Sequence, residues 1–148
     1  MKSILKKYYN HLTKYNPDSL ISRIYGLHKV IFYRKKGKTQ KKLYFCIMNN
    51  VFNTNNKIDY RYDLKGSTHG RTTTFPANKP KDLTIALKDL DFLNKKEKFK
   101  IGGKYKKKLM AIIKKDVEFF SGCGIIDYSM LIGVHERKRP EIEIDRDS

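Results

Sequence analysis

The first residues of the chain alternate apolar and polar side chains at helical spacing. The apolar positions are Ile4, Leu5, Tyr8, Tyr9 and Leu12, with lysine and asparagine between them. Residues three and four apart share one face of an α-helix. The pattern therefore predicts an amphipathic helix, which we expect to end at Asn16-Pro17 because the residue before a proline disfavours helical geometry.

Extended segments follow this helix. Residues 24–33 are rich in β-branched and aromatic side chains, and residues 43–48 are apolar on both faces. Residues 35–38, Lys-Lys-Gly-Lys, have the composition of a turn, so the two segments predict a β-hairpin. Residues 58–64 form a third extended segment that leads to Gly66.

The later part of the chain contains the clearest helical stripe. Its positions are Tyr105, Leu109, Ile112, Ile113, Asp116 and Phe120. Glycines at 102–103 and 122 bound it, which predicts a helix. Residues 83–99 fit either a helix or an extended path, and residues 125–134 predict a pair of short strands. An antiparallel sheet with flanking helices places the chain in the α+β class.

Charge then narrows the choice of partner. The chain has 33 Lys plus Arg against 15 Asp plus Glu, a formal net charge of +18. Such a field attracts polyanions, namely nucleoside triphosphates, nucleic acids or anionic membrane surfaces. Only two cysteines occur, 46 and 123, which favours a reducing, cytoplasmic setting. No apolar stretch approaches the ~20 residues that span a bilayer, so membrane contact is expected to be peripheral.

A candidate phosphate-binding turn follows the third extended segment. Residues 66–71 match neither a P-loop nor a dinucleotide-binding fingerprint. Asp63 and Lys65 stand two residues apart, which on a strand places both on one face, and they lead into Gly66-Ser67, whose N–H groups could meet phosphate. The alternative is a surface ion pair.

A single carboxylate, Asp127, lies within the apolar residues 125–131. Burying a carboxylate is costly unless it is paired, bound to a metal ion or used in catalysis. The alternative is a turn residue that binds its own backbone.

Five collinear motifs resemble the phosphatidylinositol phosphate kinases. They are residues 16–21 with 23–27 (NPDSLI, RIYGL), 48–50 (MNN), 62–68 (YDLKGST), 88–93 (KDLDFL) and 126–131 (IDYSML). Each motif alone is weak, but their order and spacing over about residues 8–136 make chance improbable.

This resemblance implies a distant relative of the protein-kinase fold, with ATP between two lobes. Residues 1–136 would be a partial catalytic core and residues 137–148 a polar tail. Met48, Asn49 and Asn50 resemble the hinge that holds adenine. Asp127 resembles the catalytic aspartate that acts on the inositol hydroxyl and, with Mg²⁺, on the transferred phosphoryl group. Asp63 and Lys65, with Gly66 and Ser67 beside them, resemble the acid and base near the phosphates, and Asp127 is expected to share their cleft.

Other kinase parts are not recognised in these residues. The glycine-rich cover and phosphate-contacting lysine would precede Met1, and a second metal-binding aspartate would follow Ser148. The resemblance thus implies a segment of a longer kinase that acts on phosphoinositides at the cytosolic face of membranes, and an isolated chain without activity. It also allows a homo-oligomer of the full-length protein. Two alternatives remain: a non-catalytic module that binds phosphoinositide membranes, and an RNA-binding protein. Nucleic acid is the less expected partner because the aromatic residues lie in apolar runs rather than among basic residues.

Overall fold

A computed structural model describes residues 2–32, 41–75, 85–96 and 98–137. The chain divides into two compact units. The first combines Met1–Asn53 with Phe99–Asp127, and the second combines Thr54–Lys98 with Tyr128–Ser148. The predicted turn at residues 35–38 and the predicted tail beyond residue 137 lie outside the described residues.

The first unit begins with the predicted helix. Helix α1 (Lys2–Asn10) continues directly into a π-helical turn, His11–Tyr15. The turn ends at Asn16, whose N–H donates to the carbonyl of His11 at 2.7 Å. The predicted end of the helix before Pro17 is confirmed.

The predicted hairpin is also confirmed. Strand β1 (Ile24–Phe32) pairs antiparallel with β2 (Lys41–Met48), with a register irregularity between Ile24 and Gly26. Most side chains of both strands are exposed. The hairpin is tied to α1 at its base, where the Tyr8 hydroxyl donates to Ser22 O and accepts from Ile24 N, both at 2.8 Å.

Helix α3 (Gly103–Gly122) contains the predicted stripe and extends it at both ends. One position on this stripe, Asp116, is a charged residue that is only 6% exposed. A buried carboxylate requires hydrogen-bond donors, and these come from distant parts of the chain.

Four groups from the N-terminal segment bind this carboxylate. His11 Nε2 and Ser19 Oγ each lie 2.6 Å from Oδ1, Asn16 Nδ2 lies 2.8 Å from the same oxygen, and Leu20 N lies 2.8 Å from Oδ2. Because an ionised carboxylate only accepts, His11 Nε2 carries the proton. Burial raises the pKa of Asp116, but these hydrogen bonds outweigh it and lower the pKa overall.

The second unit is built around a three-stranded sheet. Strand β3 (Tyr60–Leu64) lies between β4 (Ala86–Leu87), which is parallel to it, and β5 (Met130–Val134), which is antiparallel. Tyr62, at the middle of β3, is fully buried. This central strand therefore provides the core of the unit.

Helix α2 (Asp89–Lys95) packs beside this strand. The Phe92 and Tyr62 rings meet edge to face, with centroids 5.1 Å apart. Lys95 Nζ lies 3.9 Å from the centroid of the Tyr60 ring, within the range of a cation–π interaction. Aromatic contacts thus fix α2 to β3.

The α+β class is confirmed, and the structure decides the secondary structure of two further segments. The predicted strand pair in residues 125–134 is wrong, because only β5 is a strand and it pairs with β3. Gly124 and Asp127 have φ values of 64° and 65°, which interrupt an extended backbone. The ambiguous residues 83–99 contain both a short strand, β4, and the helix α2. No described helix combines the length and apolarity needed to cross a bilayer.

Replacing Asp116 by asparagine is expected to destabilise the first unit. An amide offers one acceptor where the carboxylate offers two, and it leaves buried donors without partners. We expect the free energy of unfolding to fall by about 2–4 kcal/mol. Urea denaturation followed by circular dichroism measures this loss.

The matched control is Asp18→Asn in the same unit. Asp18 forms an exposed ion pair with Lys108, 2.9 Å between Oδ2 and Nζ, with both side chains more than 60% exposed. Its replacement should change stability by less than about 0.5 kcal/mol. Equal effects of the two substitutions would contradict a structural role for the buried carboxylate.

Candidate active site

In the second unit, β3 delivers Asp63 and the residues that follow it. Asp63 is opposite Leu131 of β5, one position before the end of the strand. The prediction that Asp63 and Lys65 share one strand face is wrong in its premise, because β3 ends at Leu64 and strand alternation does not extend to Lys65. Gly66 then adopts a φ of 72°, which favours glycine and turns the chain.

A carboxylate from α2 holds this turn. Asp89 Oδ1 accepts from Gly66 N at 2.8 Å and from Lys65 N at 3.1 Å. The expectation that the Gly66 N–H meets phosphate is therefore not supported for this atom, which already has an internal acceptor. Asp89 is only 7% exposed, so the turn is fixed by a buried charge.

Arg71 connects that carboxylate to the end of the strand. Its Nε donates to Asp89 Oδ2 at 2.8 Å, and its Nη2 donates to the backbone carbonyl of Asp63. The same Nη2 lies 3.8 Å from Asp63 Oδ2. The other carboxylate oxygen, Oδ1, is buried and has no hydrogen-bond partner within the described part of the chain. Sequence reasoning missed both Arg71 and Asp89, although Asp89 belongs to a recognised motif.

The surroundings of Asp89 set its protonation. Burial raises the pKa of Asp89, but hydrogen bonds from Arg71, Gly66 N and Lys65 N outweigh burial and lower the pKa overall. The ionised form is therefore the one that stabilises the turn.

In the first unit, the predicted hinge begins at Met48, the last residue of β2, and Arg23 fixes the next residue, Asn49. Asn49 Oδ1 accepts from Arg23 N at 2.6 Å, and Asn49 N donates to Arg23 O at 3.0 Å. Asn50 Oδ1 accepts from Phe52 N at 3.0 Å, which shapes the next turn. Met48 is half exposed, so the segment combines a hydrogen-bonded Asn49 with an accessible Met48.

Asp127 is not buried, contrary to the expectation drawn from its apolar neighbours. It is exposed, and the preceding Ile126 is 85% exposed. Its left-handed φ of 65° agrees with the turn geometry given above as the alternative. The cost of burying a charge therefore does not identify Asp127 as functional.

The predicted residues are distributed over both units. Met48, Asn49, Asn50 and Asp127 belong to the first, and Asp63, Lys65, Gly66 and Ser67 belong to the second. That Asp127 shares a cleft with Asp63 and Lys65 stays a prediction. The described residues contain no cluster of three or more His, Cys, Asp or Glu side chains suited to a metal ion.

Comparison with known proteins places the chain among lipid kinases. Phosphatidylinositol 4-phosphate 5-kinase of Plasmodium falciparum is 43% identical over 137 residues, covering 93% of this chain and 8% of the relative. Phosphatidylinositol 4-phosphate 5-kinase 1 of Arabidopsis thaliana is 42% identical over 134 residues, covering 90% and 16%. Phosphatidylinositol 5-phosphate 4-kinase type-2 beta of Rattus norvegicus is 34% identical over 143 residues, covering 97% and 32%.

The particular family follows from a family model described as phosphatidylinositol-4-phosphate 5-kinase, which matches residues 1–148. The chain belongs to this family, which confirms the resemblance of its five motifs. The chain spans about a tenth to a third of the length of these curated relatives.

The ionisation of Asp89 can be tested by NMR. The pKa of its carboxyl group is expected below the usual value of 3.8, so its contribution to stability is present above that pH and is lost as the pH falls through the folded-state pKa. The carboxyl ¹³C shift of Asp89, followed from pH 7 to 2, reports this directly. In Arg71→Gln the midpoint should rise relative to the wild type, since a donor is lost. A wild-type midpoint at or above the unfolded value would contradict the proposed hydrogen bonds.

Proposed function

We propose that this chain contributes part of the catalytic core of a phosphatidylinositol phosphate kinase, which transfers the γ-phosphate of ATP to a phosphoinositide hydroxyl. The family membership carries the proposal, because the five motifs lie in one chain that matches the family throughout. A distant relationship to the protein-kinase fold, with two lobes, belongs to the same proposal.

In this proposal, one part of the chain would bind the adenine of ATP and another part would bind its phosphates. The adenine edge would bind to backbone groups of Met48, Asn49 and Asn50. The hydrogen bond between Arg23 and Asn49 supports this proposal, because it fixes Asn49 while Met48 stays half exposed. Lys65 and Ser67 would meet the phosphates. Asp89 already occupies the Gly66 N–H, so Gly66 would contribute its backbone shape and not that donor.

Asp127 would act on the inositol hydroxyl, orienting it or accepting its proton. Its exposure supports the assignment, because a carboxylate must be accessible to reach a lipid headgroup. Magnesium in kinases neutralises charge on the transferred phosphoryl group. Since Mg²⁺ is commonly held by one or two carboxylates together with substrate phosphates, the exposed carboxylate of Asp127 fits such a role. Asp63 would serve as the acid near the phosphates.

The catalytic role is tested in the complete protein that carries this sequence. Asp127→Asn should abolish transfer of ³²P from ATP to phosphatidylinositol 4-phosphate in vesicles, while sedimentation with those vesicles remains unchanged. The control is Asp18→Asn, which alters an exposed carboxylate of the same unit and should retain the wild-type rate. Unchanged turnover in Asp127→Asn would dismiss the catalytic assignment.

A second candidate function is a non-catalytic module that binds phosphoinositide membranes. One observation favours it: α3 presents exposed lysines along its length, Lys104, Lys106, Lys107, Lys108, Lys114 and Lys115. Near an anionic leaflet each lysine contributes about 1 kcal/mol. This contribution does not depend on catalysis.

Vesicle binding by the chain should therefore depend on both charge and headgroup. Replacing Lys106, Lys107 and Lys108 by glutamate is expected to weaken sedimentation with vesicles containing 5% phosphatidylinositol 4-phosphate by at least about tenfold, and 0.5 M salt should weaken wild-type binding similarly. Vesicles of phosphatidylcholine alone are the control. Equal binding to RNA and to these vesicles, without dependence on phosphoinositide content, would favour the nucleic-acid alternative.

A further inference from the structure

The first turn of α2 carries two buried or half-buried carboxylates with different tasks. Asp91 caps the start of its own helix, where its Oδ2 accepts from Lys88 N at 2.9 Å, and the same oxygen accepts from Thr73 N and Oγ1 at 3.0 and 2.6 Å. Asp89, two residues earlier, instead binds the turn that follows β3. The two carboxylates therefore lie in the same helical turn but have different hydrogen-bond partners.

Both oxygens of Asp89 are used within the protein. Oδ1 accepts from the N–H groups of Gly66 and Lys65, and Oδ2 accepts from Arg71 Nε. The side chain is 9% exposed. A carboxylate in this state is poorly placed to bind a metal ion or a substrate, so its effect on chemistry must pass through the groups that it holds.

The groups that Asp89 holds belong to the candidate active site or contact it. The two N–H donors belong to the residue proposed to meet phosphate, Lys65, and to its neighbour. Arg71, held by Asp89, binds the carbonyl of Asp63 and lies 3.8 Å from the Asp63 carboxylate. One buried charge thus fixes the backbone of Lys65 directly and that of Asp63 through Arg71.

We propose that Asp89 is a positioning residue for the kinase reaction, which holds the Lys65–Gly66 turn and, through Arg71, the end of β3 in the geometry that presents Lys65 and Asp63. This inference rests on the proposed function. Neither Asp89 nor Arg71 was assigned a role from the sequence.

The test compares Asp89→Asn with the matched variant Asp91→Asn. Both changes remove one charge from the same helical turn and leave the side-chain shape intact. In the complete protein, Asp89→Asn should lower kcat for phosphoinositide phosphorylation by about 10- to 100-fold, because small misplacements of reacting groups cost rate of this order. Asp91→Asn should change kcat by less than about threefold, well below that cost. Thermal melting of both variants measures how much stability each one loses, so that an effect on kcat can be separated from a loss of folded protein.

Hydrogen exchange supplies a readout that does not depend on activity. In residues 1–148, Asp89→Asn should accelerate amide exchange at Lys65 and Gly66 by about tenfold or more, which corresponds to ~1.4 kcal/mol of lost protection. Asp91→Asn should leave these two amides protected. Double replacement, Asp89→Asn with Arg71→Gln, should lower kcat less than the product of the single effects, since the two residues act as one unit.

The outcomes separate this inference from the proposed function. If the wild-type protein phosphorylates lipid and the two aspartate variants lose kcat equally, the positioning role is overturned while the kinase function stands. If the wild-type protein phosphorylates no phosphoinositide, the kinase function fails, and the exchange rates alone decide whether Asp89 holds the turn. Protected amides at Lys65 and Gly66 in Asp89→Asn overturn the inference in either case.

Discussion

The first unit depends on the burial of one charge, the carboxylate of Asp116. A buried ion is tolerated only when donors surround it, and here His11, Asn16, Ser19 and the backbone of Leu20 provide them. These donors come from about a hundred residues earlier in the chain. The carboxylate therefore closes the N-terminal segment onto α3 in a defined geometry, which apolar contacts alone would not specify.

This geometry continues toward the predicted hinge. After the donors to Asp116, the chain reaches Arg23, whose guanidinium binds the carbonyls of residues 17, 19 and 21. The backbone N–H of Arg23 then donates to Asn49 Oδ1, and the backbone carbonyl of Arg23 accepts from Asn49 N. In the sequence, this motif indicates only a helix end and a loop. In the structure, its residues form successive hydrogen bonds that connect α3 to the segment after β2.

The second unit uses the same physical device. Asp89 accepts backbone N–H groups from the turn after β3 and a guanidinium from Arg71. In both units an acidic residue on a helix organises a segment that belongs to a family motif, and in both the hydrogen bonds outweigh burial to keep the carboxyl pKa low. Motif residues in this chain therefore include structural acceptors and donors as well as the groups proposed to contact ATP or lipid.

The sequence by itself determined the family and most, though not all, of the secondary structure. Helical spacing located α1 and α3, the β-branched runs located β1, β2 and β3, and the collinear motifs identified a phosphatidylinositol phosphate kinase relative. Only the tertiary structure decided which carboxylates are buried. Asp127 was expected to be buried because its neighbours are apolar, yet it is exposed, whereas Asp116, the charged position on the apolar stripe of α3, and Asp89 are buried. The reason is that burial and hydrogen bonding depend on partners far away along the chain, such as His11 for Asp116 and Arg71 for Asp89, and local pattern contains no information on those partners.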